Sequence, residues 1–180
     1  MNKGKLGIKR IAVLGVLTAV ALTVFAIEAR LPSLAPIPGV KLGLANIVTV
    51  WALVMLGPVD AALVLLARIL LGSLFCGSAT TLMYSLSGGT LCYLVSLLLH
   101  RVLGKKQIWV LGVVGAMAHN VGQLVTASLV MRSAAVWSYA PVLMISGIIT
   151  GAFTGMAAQL LYLRLVDTGP FRELRKQKSK

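Results

Sequence analysis

Residues 107–131 run for 25 positions with His119 as their sole ionisable side chain. About 20 apolar residues in a helix cross a ~30 Å hydrocarbon core, so a run of this length constrains the fold more than any motif does. Residues 11–27 repeat the pattern. Composition agrees: 12% of the chain is charged and 58% apolar, where a soluble domain carries about 25% charge. The chain therefore reads as an all-α integral membrane protein.

Apolar stretches bounded by Pro, Gly or charge give six spans, at about 10–28, 43–57, 59–76, 79–100, 107–131 and 140–165. They form a single membrane domain followed by a basic tail, 166–180. Leu56-Gly57-Pro58 predicts a tight turn between the second and third spans, with Asp60 helping to cap the third. The amino-terminal run exceeds the 7–15-residue core of a signal peptide, and it is read as the first helix. Thirteen of the 17 basic residues lie at the amino end, between the fourth and fifth spans, or in the tail. Arg30, Lys41 and Arg132 lie opposite, so both termini are expected on the cytoplasmic side of a multi-pass cell-membrane protein.

The net charge of +13 sits at span ends, where it suits an anionic lipid surface better than nucleic acid. Four scattered acids, Glu28, Asp60, Asp167 and Glu173, make no metal site and no aspartate-rich diphosphate-Mg²⁺ motif. Cys76 and Cys92 show neither CxxC spacing nor a neighbouring His, so they read as free thiols. No catalytic set is evident, and none of these residues requires a cofactor. The proline-rich segment from Arg30 to Lys41 has apolar faces to bury and is expected to be an ordered outer loop.

Small residues at four-residue spacing let helices approach closely in lipid. Gly147, Gly151 and Gly155 form one such line in the sixth span, continued by Gln159, and suit packing within the chain. Gly15, Ala19 and Thr23 form another in the first span, which suits either internal packing or a partner subunit.

Ionisable residues at mid-membrane are costly and usually face inward. At 1.5 Å per residue, Arg68 and His119 both fall roughly 12–15 Å from the end carrying the amino terminus. Asn120 and Gln123 add a polar face beside His119, serving either as an interhelical clamp or as a solute site. Glu28, Asn46 and Tyr84 would line the outer half of the same site, with Glu28 ~12 Å beyond Arg68 and only marginally within pairing reach. Arg68 either binds an anionic or carbonyl-rich solute or is held by backbone carbonyls.

The strings PGVKLGLAN (38–46), LGP (56–58), RILLG (68–72), YSLSGG (84–89) and AHNVGQ (118–123) resemble the Gx transporter family, also labelled heptaprenyl diphosphate synthase component I. That family is similar to the substrate-binding S components of energy-coupling factor vitamin transporters. The resemblance implies a six-helix bundle with a solute cavity roofed by the first loop. It implies partners too: a transmembrane scaffold, docked through Gly15 and Ala19, and two ATPase subunits, since this chain has no P-loop. The synthase label implies instead a membrane partner in prenyl or quinone biosynthesis, noncatalytic because no DDxxD-like cluster is present.

The charge distribution predicts the outcome of a labelling experiment. With Cys76 and Cys92 replaced, single cysteines at Lys3 and Lys178 should resist a membrane-impermeant maleimide in intact cells. Labelling of either from outside would overturn the assigned sidedness.

Overall fold

The computed structural model describes residues 3–30, 40–76, 78–103, 107–166 and 168. They form six α-helices and no strand: α1 Lys3–Glu28, α2 Asn46–Leu56, α3 Pro58–Cys76, α4 Ala79–Val102, α5 Ile108–Met131 and α6 Ala140–Leu165. A short 3-10 helix, Ala134–Tyr139, leads into α6. Most of the expected outer loop, 31–39, lies outside the described residues.

Five of the six helices are long and apolar enough to cross a membrane. The second expected span is the exception. Its helix has 11 residues, which reach about 16 Å, half of a hydrocarbon core. The apolar run counted from residue 43 includes 43–45, the end of a non-helical stretch, 40–45, that periodicity alone did not separate from the helix. Non-helical backbone is tolerated at such depth only where protein surrounds it. Every residue of α2 except Ile47 is buried, and α2 touches all five other helices. A helix that is apolar all round belongs in a core, and α2 is the centre of this one.

Gly57 makes the expected tight turn. Its φ of +95° suits glycine, and its amide donates to the carbonyls of Ala52 and Leu53. Pro58 then occupies the first position of α3, where its missing N–H costs nothing. Asp60, in the first turn of α3, is buried and accepts from Arg10 of α1, with Nε at 2.8 Å. At the other end of the same pair of helices Phe25 of α1 lies on Gly72 of α3. These two contacts make α1 and α3 parallel neighbours.

The glycine line of α6 packs against α5, as its spacing suggested. A Cβ on Gly112 would sit 2.5 Å from the Gly155 Cα, and one on Gly151 would sit 2.7 Å from the Gly112 carbonyl oxygen. Gln159 continues the seam by accepting the Trp109 amide at 3.4 Å. On its other side α5 meets α4, where Gly122 faces the Ser87 carbonyl and Gly115 faces Ser96 and Cys92.

These contacts predict unequal responses to the same small change. Gly155→Ala forces backbone apart and should cost about 1–3 kcal/mol, seen as a lower melting temperature of the purified protein. Gly15→Ala meets nothing within 4 Å and should leave the melting temperature within a degree or so, helped slightly by helix propensity.

Candidate functional site: a buried polar cluster where the chain enters α2

The start of α2 has no capping side chain of its own, because the N-cap position is Ala45. Its unpaired amides are met from α1. The Gly43 N–H donates to the Glu28 carboxylate, which the amides of Leu44 and Ala45 also face. A carboxylate at a helix start is favoured by both hydrogen bonding and the helix dipole. From α5, Gln123 Oε1 accepts the Lys41 N–H at 3.1 Å. Segment 40–45 is thus fixed from two sides by side chains, while its Gly43 and Leu44 carbonyls accept from the Asn46 and Ile47 amides.

The Lys41 bond also fixes which way the Gln123 amide points. With Oε1 on Lys41, the NH2 group faces His119 Nε2 at 3.0 Å. Nε2 must then accept, so the ring proton is on Nδ1 and His119 is neutral. Nδ1 faces the backbone of Gly88 of α4.

Arg68 of α3 is buried and donates from Nη2 to Asn46 Oδ1 at 3.1 Å. Its Nε and the Asn46 Nδ2 have no partner among the described residues. Gly89 of α4 lies against Arg68 and its neighbour Gly88 against His119, which bears out the expected common depth of the two residues. Glu28 acts on both Arg68 and Lys41 through space without forming an ion pair with Arg68. Lys41 stacks its Nζ over the Phe25 ring at 3.7 Å.

Five of the residues singled out in the sequence therefore converge: Glu28, Asn46, Arg68, His119 and Gln123. Asn120 does not join them. It turns to α6 and donates to the Leu143 carbonyl at 2.6 Å, which makes it an interhelical clamp. Tyr84 is buried in an apolar cluster with Val40, Leu124, Val136 and Leu143. Asn120 and Tyr84 stand outside the cluster because spacing gives depth along a helix but not which neighbour a side chain meets.

Gly43 and Lys41 were missed as members of the cluster. Gly43 has a φ of +79°, and a Cβ there would fall 2.6 Å from His119 Cδ2 and 2.9 Å from Asn46 Nδ2. The only signal for it was its place in the PGVKLGLAN string. Beside Asn46, and also lined by Gly43 and Cys92, is a cavity of about 10 Å³, enough for one water-sized particle. On the outside of the bundle Gly15 and Ala19 are exposed along α1.

The family model described as heptaprenyl diphosphate synthase component I matches residues 17–161. The chain belongs to that family. The match takes in the whole polar cluster and Ala19, while Gly15 lies just before it. No curated protein and no solved structure matches the chain.

The two side-chain bonds to segment 40–45 predict its dynamics. Glu28→Ala or Gln123→Ala should speed hydrogen exchange of the amides at 41–45 by an order of magnitude or more, with α5 and α6 unchanged. Equal exchange in variant and parent would mean that the segment is held by something else.

Proposed function

We propose that this member of the heptaprenyl diphosphate synthase component I family is the membrane-embedded substrate-binding subunit of an energy-coupling factor type importer for a small organic solute. In this reading both termini are cytoplasmic, and separate ATPase subunits and a transmembrane scaffold in the cell membrane supply the energy. The observation that carries it is the buried polar cluster. Five side chains from α1, α2, α3 and α5 converge at the non-helical entrance to α2. Such clusters in an apolar bundle are expensive and are favoured where a polar ligand is handled. Glu28, Asn46, Arg68, His119 and Gln123 are the proposed solute-binding residues, and Asn120 and Tyr84 support the walls on which they stand.

The partner face is proposed to be α1. Gly15 and Ala19 are exposed on it, and a Cβ at Gly15 would meet nothing within 4 Å, which leaves room for another helix to approach backbone to backbone. The family's name favours a second reading, a noncatalytic membrane component of prenyl diphosphate synthesis. Among the described residues no group of three metal-binding side chains could hold the Mg²⁺ that such catalysis needs, so the chemistry in that reading would belong to a partner.

Gly15→Leu and Ala19→Leu separate the two. In the importer reading either change blocks capture of the scaffold and ATPase subunits from native membranes, and transport falls while the isolated subunit keeps its melting temperature. Capture of a soluble prenyl synthase instead, by parent and variants alike, would favour the synthase reading.

A further inference from the structure

The polar cluster holds an uneven charge. Arg68 and Lys41 bring two cations to the entrance of α2, and Glu28 brings one carboxylate, which already accepts from the amides that begin the helix. His119 is neutral, since its Nε2 accepts from Gln123. Among the described residues no other acid lies at the cluster to balance the remainder. Asp60 is paired with Arg10 at the opposite end of α3. Segment 31–39 contains no Asp or Glu.

Among the described residues Arg68 Nε and Asn46 Nδ2 are buried donors without a partner. A buried excess cation is unfavourable unless an opposite charge meets it, and unpaired buried donors ask for acceptors. Net charge and donor set call for the same thing, an acceptor-rich species carrying one negative charge.

We propose that the cluster takes the carboxylate of a small monocarboxylate solute, with Arg68 and Asn46 as its anchor and Lys41 as the second cation. This names the solute class within the importer reading and rests on that reading only for calling the ligand cargo. A planar carboxylate matches a guanidinium edge, and the charge-assisted bonds it makes are the stronger kind.

Acetate is the test probe, with acetamide and ethylammonium as neutral and cationic counterparts. The full chain in nanodiscs is melted in sodium isethionate, a sulfonate salt without a carboxylate, at constant ionic strength, following tryptophan fluorescence. Acetate should raise the melting temperature saturably, by about 3–6 °C at ten times its half-saturating concentration, and the other two should not. Arg68→Gln should raise the half-saturating concentration at least tenfold. Should that variant fail to fold, Lys41→Gln, at a half-buried position outside the helices, should do so in its place. An acetate response unchanged in the folded variants overturns the proposal, as does no response to acetate. Equal stabilisation by chloride overturns the carboxylate assignment. Stabilisation by acetamide or ethylammonium in place of acetate overturns it too, yet leaves solute binding standing. The importer reading is decided by partner capture, so the two can fail independently.

Discussion

A backbone that stops being helical inside an apolar bundle has amides that neither lipid nor its own turn can satisfy. Segment 40–45 is such a backbone, and the bonds from Glu28 and Gln123 make it possible. Around that requirement the rest of the site is arranged. Gly43 supplies the left-handed turn that lets His119 and Asn46 come close, Asn46 then meets Arg68, and His119 is held in one tautomer by the same Gln123 that holds Lys41. Removing a single acceptor would expose several donors at once, so these contacts act as a network rather than as independent pairs.

The remaining helices separate into a rigid and an unfinished part. α4, α5 and α6 are joined by glycines through which backbones touch, and Asn120 adds a polar clamp across α5 and α6. α1 is attached on one side only, through Arg10 to Asp60 and Phe25 to Gly72. Its other side carries Ile8, Ile11, Val16 and Val20 to the surroundings beside Gly15 and Ala19. Ala21, Phe25 and Glu28, one face of that helix, reach the core and the cluster, so α1 links the outer face to the polar site.

Much of this was legible in the sequence. Long uncharged runs gave the five crossing helices, four-residue glycine spacing gave the α5–α6 seam, and counting residues placed Arg68 and His119 at one depth. What escaped was rotation about helix axes and the path of irregular backbone. Asn120 and Gln123 share a polar face by spacing, yet the first turns to α6 and the second to segment 40–45. Gly43 to Ala45 read as the start of a helix because apolar content continues there, and hydrophobicity does not record that a carboxylate 15 residues before Gly43 accepts its amide.

The shortness of α2 bears on how the protein is made. A segment that reaches about half-way across the hydrocarbon core cannot come to rest there by itself. A turn at the single residue Gly57 ties it to α3, so the two must leave the translocation machinery as one hairpin, with the polar atoms of Asn46 and Arg68 already able to meet each other. Only when α4, α5 and α6 have followed does α2 acquire the walls that bury it. The polar core is therefore completed last, and a chain truncated after α3 would hold Arg68 without the helices that shield it from lipid.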